Sequence, residues 1–449
     1  MTANSSTYQK LFQQLPDLEV ITDAHQLTKL SLDYYYFSPI LEARLKDKRA
    51  NLVVRPTTEA EIIRVAQACV ELKIPLTVRG AGTGNYGQCI PLEGGIVLDL
   101  SKMNRIKSLQ PGIACVEPGV KMAAFDKQAR EIGWELRMAP STYRTATIGG
   151  FISGGSVGMG SINYGQIKDR GNLRRVRLVT MEEQPRVREL VGDEVQKVIH
   201  GYGTTGIVTE LEIALAPAYP WQEIVVVFDD FMTAARFGQA LSDSDGIVKK
   251  LVSIHGAPIP SYFTPLQAYL PQEKHCALLM VAEYDVAPLQ DLVAEYGGKI
   301  TYSKTAAEAA KRTSLLEFTW NHTTLHARNI DPSFTYLQTF YFTLERVAQM
   351  HQHFGDEIAI HLEFLKAGGK AVPAGLQLFR FTTPERLREI IEYHEANGAF
   401  IANPHVYTIE DGGDKQIDAE KVAFKRQIDP HGLLNPGKMR GFKEVASSK

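Results

Sequence analysis

Glycine in this chain is concentrated in blocks, and the densest block limits the fold most tightly. Between Ala146 and Gly160 there are six glycines in twelve residues, at 149, 150, 154, 155, 158 and 160. At roughly 1 kcal/mol each against alanine, they argue against a stable solvent-exposed helix. They make sense where backbone lies against a large flat ligand, because glycine accepts positive φ and carries no Cβ to hold the ligand away.

A second block indicates the kind of ligand. From Pro75 an apolar strand pattern (Leu76 to Val78) runs into Arg79 and then Gly80, Gly82, Gly84 and Gly87. Such a loop can turn successive backbone N–H groups inward as a nest for pyrophosphate oxygens. Gly82, Gly84 and Gly87 also satisfy G-x-G-x-x-G. That fingerprint, however, must open a helix and be answered by an acidic residue about 20 positions on. Here Pro91, Gly94 and Gly95 follow, then a strand pattern Ile96–Leu100, and Asp99 comes too early, inside it. The NAD-type interpretation fails on context, while the expectation of a dinucleotide stands.

Further blocks repeat the theme: Ala139-Pro-Ser-Thr142, Gly201-Tyr-Gly-Thr-Thr-Gly206 running on to Glu210, and the tail from Asp429-Pro-His-Gly432 to Asn435-Pro-Gly-Lys438. With the stretch Val53–Glu61 and the Glu117-Pro-Gly119 turn, this set resembles the FAD-binding fold of the vanillyl-alcohol oxidase (PCMH-type) flavoprotein superfamily. The nearest likeness is to its glycolate oxidase and D-lactate dehydrogenase branch. The likeness covers about residues 20–440 and is strongest over 50–217 and 429–438. It implies an α+β architecture: a PCMH-type FAD-binding domain and a cap domain over the flavin ring.

The resemblance also implies a cofactor site. From the first loop it takes Arg79, Gly80, Ala81, Gly82, Thr83, Gly84, Asn85 and Gln88, and from the following turn Pro118 and Gly119. The central block supplies Pro140, Ser141, Thr142, Thr147, Gly149, Gly150, Ser153, Gly154, Gly155 and Gly160. Gly206, Ile207 and Val208 are expected to bracket the adenine, and Asn435 and Lys438 to close over the flavin. For Arg79, pyrophosphate and a surface carboxylate are both open partners; for each hydroxyl, turn capping is an equal alternative. Relatives with covalent flavin carry a histidine where this chain has Thr83, and Cys89 has no supporting motif, so noncovalent FAD is expected.

Bulk properties exclude other classes. The 449 residues are 44% hydrophobic with a formal net charge of −2, enough for two or more cored domains and without the basic excess of a nucleic-acid surface. Four cysteines, at 69, 89, 115 and 276, without a C-x-x-C pair, suit a reducing cytosol. No signal peptide or transmembrane run is read, so a cytoplasmic location is expected.

Periodicity divides the chain into an N-terminal helical segment (1–50) with the aromatic cluster Tyr34–Phe37, an FAD-binding domain (51–217), a cap (218–410) and a returning C-terminal segment (411–449). After 220 a β-α-β grammar occurs four times, beginning near Glu223, His275, Thr335 and Leu376. It predicts an antiparallel, double ferredoxin-like sheet with helices on one face. Its other face needs a cover, and the flavin domain is the obvious one.

Oxidation of a hydroxyl needs a base for its proton, a task suited to histidine. His322 and His326 stand one helical turn apart. His361 and Glu363 share one face of a strand whose other face is Ile360, Leu362 and Phe364. His405, with Tyr407 as a hydrogen-bond partner, lies in a polar loop, and Arg380 is a candidate for a substrate carboxylate. The H-x-G-D-G-N-x-H motif of metal-binding relatives is missing, and no metal is expected. The substrate class implied is a 2-hydroxy acid of the glycolate or D-lactate type. A sugar alcohol or aldonolactone is the enzymatic alternative, and a noncatalytic flavin-binding subunit the alternative from another class. No motif specifies the electron acceptor.

Overall fold

The computed structural model describes residues 6–155, 157–413 and 415–444. Among these residues eighteen strands form three sheets. The first contains β1 (Glu19–Ile21), β2 (Leu52–Arg55), β3 (Leu76–Arg79) and β4 (Ile96–Asp99), in the order β1-β2-β4-β3. β2, β4 and β3 are parallel, and β1 adds an antiparallel edge. The helix Glu59–Glu71 connects β2 to β3: Thr58 Oγ1 accepts from Glu61 N at 3.2 Å, and Ile62, Val65, Ala66 and Cys69 form its buried stripe. Residues 1–50 are therefore not only helical. The short segment 19–21 carries too little periodicity to reveal a strand, and its pairing with β2 defines it.

The second sheet is antiparallel, with β5 (Ile106–Gln110), β6 (Ile113–Val116), β7 (Trp134–Leu136), β8 (Leu173–Val179), β9 (Val187–Val191) and β10 (Ile207–Pro217). Its path is β5-β6-β10-β8-β9, with β7 also pairing β10. Between these strands, the densest glycine block departs from the sequence expectation by forming a short helix, Ile148–Gly154. Thr147 Oγ1 caps it by accepting from Gly150 N, and Gly155 ends it at φ +67°. The propensity penalty applies to exposed helices, and here Ile148, Gly149, Phe151 and Ile152 are buried.

The third sheet has eight strands: β11 (Trp221–Phe228), β12 (Lys249–His255), β13 (His275–Ala282), β14 (Lys299–Lys304), β15 (Phe334–Phe340), β16 (His361–Ala367), β17 (Lys370–Arg380) and β18 (Phe400–Ala402). Their order is β14-β11-β13-β12-β16-β17-β15-β18, every pair antiparallel. Each half is ferredoxin-like, and the β12–β16 pairing joins the two, as the fourfold grammar predicts. Alternation sorts side chains between two cores. Ile224, Val226, Leu362 and Phe364 pack with the helices Phe231–Asp243, Leu344–Phe354 and Pro384–Ala396. Val225, Val227, Leu278 and Leu376 join the core of the first two sheets. One face is thus covered by helices and the other by the N-terminal half, with a cleft between.

Two ties fix that cleft's geometry. Gly160 N donates to Lys250 O on β12 at 2.8 Å. The C-terminal tail returns beside β3, with Leu76 N donating to Leu433 O at 2.8 Å and Asn435 N to Leu76 O at 2.6 Å.

Candidate functional site

The cleft has a volume of about 850 Å³. One wall is glycine-laden backbone. After β3 the chain turns through Gly80, Ala81, Gly82, Thr83, Gly84 and Asn85, all lining the cleft along with Gln88. Close packing explains the glycines: a Cβ on Gly80 would overlap Thr147 Oγ1, and one on Gly84 would overlap Gln88 Oε1. Pro118, Pro140, Ser141, Thr142, Thr147, Gly149, Gly150, Ser153, Gly154 and Gly155 continue the wall, and Gly206 and Val208 end it.

Six expected cofactor residues lie behind this wall instead of on it. Arg79 is turned back under its own loop, donating to Leu32 O at 2.5 Å and to Cys89 Sγ at 3.3 Å. Gly119 lies against Leu100 and Met103, its N–H on Met103 O at 2.7 Å. Gly160 makes the tie to Lys250, and Ile207 is in the core. Asn435 Nδ2 donates to Gln88 O at 2.9 Å and to Tyr202 O, and Lys438 Nζ donates to Gly87 O. These tail residues brace the cleft loops from beneath.

The opposite wall comes from the eight-stranded sheet and the segment before β15: Trp320, Asn321, His322, Leu325, Gln338, Phe340, Phe342, Leu376, Phe400 and Ala402. Of the three histidine candidates, His322 alone lines the cleft. Its Nδ1 is 3.0 Å from Glu317 Oε2, while Arg144 Nε forms an ion pair with the other carboxylate oxygen at 2.8 Å. All three groups face the cleft, with Arg144 from one wall and the others from the opposite wall. Burial pushes the Glu317 carboxyl up, but the His322 hydrogen bond and the Arg144 charge outweigh it, and the net shift is downward.

The remaining expected catalytic residues are elsewhere. His361 and Glu363 do share a strand face, but that face is sealed. Both have 0% exposure, and Glu363 Oε1 accepts from Ser253 Oγ (2.9 Å), His361 Nε2 (2.8 Å) and Trp320 N (2.7 Å). Glu363 thereby holds Trp320 at φ +50°, one residue before the cleft residues Asn321 and His322. His405 is a buried strut with Nδ1 on Ser38 Oγ at 2.7 Å and Nε2 on Tyr336 O at 3.1 Å. Arg380 is on the surface, ion-paired to Asp331 at 2.8 Å and stacked over Phe334. Tyr407 packs under the Lys438 ammonium, 5.1 Å from its ring centre. In each case the residue type and strand position fit a site, and the three-dimensional neighbours rule out contact with the cleft.

Several cleft residues carry no sequence signal. Glu317 and Arg144 matter only because their segments meet. Tyr86 OH donates to Gln338 Oε1 at 2.5 Å and Asn85 Nδ2 to Tyr336 OH at 2.7 Å, tying the two walls across some 250 residues of sequence. Asp33 lines the cleft with Oδ2 unpartnered, and burial raises its carboxyl, offset by attraction to the buried Lys438. Lys438 is in turn lowered by burial. The Cys89 thiol is pushed up to about 11 by burial, so it is not a ready nucleophile. Among the described residues, no group of three or more His, Cys, Asp or Glu is placed to hold a metal ion.

The residues present fit a dinucleotide: a long cleft, one wall of bare backbone, and hydroxyls at Ser141, Thr142 and Thr147. The fold is similar to that of PCMH-type FAD-binding proteins. Residues 50–184 match the family model FAD_binding_4, described as an FAD binding domain, so FAD is the cofactor. The likeness read from the glycine blocks is borne out by curated relatives. D-lactate dehydrogenase of Anaerostipes hadrus is 30% identical over 182 residues, 38% of this chain and 37% of that protein. Glycolate oxidase subunit GlcD of Escherichia coli K12 is 24% identical over 434 residues, 87% of this chain and 83% of that one. The match with the first of these relatives thus spans well under half its length. Among solved structures, p-cresol methylhydroxylase with substrate bound superposes with a TM-score of 0.67 at 19% identity, covering 96% of both chains. An alkyldihydroxyacetonephosphate synthase reaches 0.72 at 15% identity, covering 96% of this chain and 84% of that one. At these identities the structures speak for the fold alone.

Proposed function

We propose that the chain is an FAD-dependent oxidoreductase that converts a 2-hydroxy acid to the 2-oxo acid, with His322 taking the hydroxyl proton. When bound, FAD would supply the two-electron acceptor for the α-hydrogen. The proton and hydride leave the same carbinol, so the product is the ketone with no other co-reactant.

In this reading the loop 80–85 holds the diphosphate through backbone N–H groups, with Ser141 and Thr142 as further donors, and the glycines of the helix Ile148–Gly154 let the ligand lie close to the main chain. The Glu317 carboxylate accepts Nδ1–H of His322, which fixes the tautomer and leaves Nε2 as the basic nitrogen. Asn321 and Gln338 offer hydrogen bonds to the substrate's oxygen atoms. Residues 51–217 act as the FAD-binding domain, 218–410 as the cap and 411–449 as the returning segment. Curated relatives with the names D-lactate dehydrogenase and glycolate oxidase support the hydroxy acid class.

The observation that carries the proposal is the position of His322 on the cleft with a carboxylate behind it. The test is anaerobic bleaching of the flavin band by 2-hydroxy acids, sugar alcohols and aldonolactones. A His322→Ala variant that still holds FAD is expected to be slower by about 10²–10⁴-fold. A loss of only a few-fold would remove His322 from the role. Bleaching by sugars and not by hydroxy acids would replace the substrate class.

A further inference from the structure

The wall facing the glycine loops has an unusual chemistry for a site that would receive a two- or three-carbon acid. Among the described residues, its side chains from the eight-stranded sheet include no lysine or arginine. They include Phe340, Phe342, Phe400 and Leu376. The three phenylalanines form one cluster, with Phe340 ring centroids 6.2 Å from Phe342 and 6.1 Å from Phe400. The cleft's arginine and lysines, Arg144, Lys168 and Lys421, come from outside that sheet, and Arg144 is already paired with Glu317.

Phe342 is the most telling member. Its φ is +64°, a conformation that bulky side chains rarely adopt, and its ring is 41% exposed. The position lies between the end of β15 and Thr343, the cap of the next helix, where glycine would be unstrained. A phenylalanine there gives up backbone comfort while leaving about two-fifths of its surface in water. Strain of this kind concentrates at ligand clamps, and the ring presented by it lines the cleft. Trp320, also on the cleft, shares the feature at φ +50°.

We infer that the preferred substrate carries a bulky apolar substituent on its hydroxyl-bearing carbon, best an aromatic one, seated against Phe340, Phe342 and Phe400. This rests on the 2-hydroxy acid reading above and specifies it. Glycolate has no apolar group to bury on this wall and lactate only a methyl, whereas 3-phenyllactate presents a ring to three rings. Asn321 and Gln338 remain for the polar end.

The experiment uses the full FAD-loaded chain and follows anaerobic flavin reduction by both enantiomers of lactate, 2-hydroxyhexanoate and 3-phenyllactate, with glycolate. Each buried methylene contributes about fourfold to kcat/KM, so the three that separate lactate from 2-hydroxyhexanoate give roughly 60-fold. 3-Phenyllactate is expected to match or exceed that. Phe342→Gly removes the ring and relieves the positive-φ strain. It should lower the phenyllactate-to-lactate ratio at least tenfold while Tm holds or rises. Without turnover, phenylpyruvate should raise Tm more than pyruvate at equal concentration. A series in which glycolate or lactate is best, or a ratio unmoved by Phe342→Gly, overturns the inference and leaves the oxidoreductase reading standing. Failure of every hydroxy acid to bleach the flavin sinks that reading and the inference with it.

Discussion

His405 is a buried base whose neutrality the fold requires, and its removal has a calculable effect. The ring is 2% exposed, and burial lowers its pKa from 6.5 to about 4, only partly offset by the hydrogen bond to Tyr336 O. Nε2 donates to that carbonyl and Nδ1 accepts from Ser38 Oγ, so the neutral ring is fully bonded. The folded pKa is depressed, so between about pH 6.5 and 4 the unfolded chain binds the extra proton and the folded chain does not. Stability therefore falls as pH falls through that window. With an unfolded pKa near 6.5, moving from pH 7.5 to 5 costs about 2 kcal/mol through this residue alone. In His405→Gln, which keeps hydrogen-bonding capacity but cannot titrate there, that component vanishes. The assay is urea unfolding of both proteins at pH 7.5 and 5 at fixed ionic strength. The variant is expected to start less stable at pH 7.5, by about 1–3 kcal/mol for the altered bonds. It should then lose about 2 kcal/mol less than the parent on acidification. Equal acid losses in the two proteins would refute the assignment, since every other buried histidine is common to both.

Glu317→Gln leaves His322 without its carboxylate, and the flavin reduction rate should fall roughly 10- to 100-fold, checked by anaerobic stopped-flow. Gly149→Ala sets helix propensity, which favours the change by up to ~1 kcal/mol, against overlap of the new Cβ with Pro118 Cβ at 2.5 Å and its Cα and O at 2.9 Å. Overlap should win, with a net loss of about 1–3 kcal/mol and weaker FAD retention, measured by thermal melting and flavin content. Acid precipitation should leave a colourless pellet and a yellow supernatant, because Thr83 offers no attachment point and the Cys89 thiol stays protonated. Colour retained on the washed chain would show a covalent link.

Much of the fold was legible because its signals are local. Strand alternation after residue 220 marked the four β-α-β units, and their ferredoxin-like order follows from the handedness and short connections of such units. β1 was not legible: three residues of an edge strand are defined by their partner β2. The helix Ile148–Gly154 was missed for a related reason. Its glycines are unfavourable in water, and burial of Ile148, Phe151 and Ile152 together with the close contact of Gly149 with Pro118, where Gly149 N meets Pro118 O at 2.9 Å, makes a helix the better solution there.

The candidate site divides along the same physical line. Backbone-binding loops announce themselves, since glycine clusters have few other uses, and most of those expected residues do line the cleft. Side-chain chemistry does not announce itself, because a polar residue on an alternating strand is equally compatible with an open cleft and with a sealed cluster. His361 and Glu363 are the clearest instance. Periodicity put them correctly on one face, yet that face is closed by Ser253, His255 and the Trp320 backbone. What distinguishes His322 is its partner set, Glu317 from the preceding turn and Arg144 from the far wall, a meeting of segments more than 170 residues apart. A base needs a counter-charge that orients it and a space into which it can act. Both are properties of the assembled walls, so His322 could be nominated from sequence, and it is the fold that favours it over the sealed histidines His361 and His405.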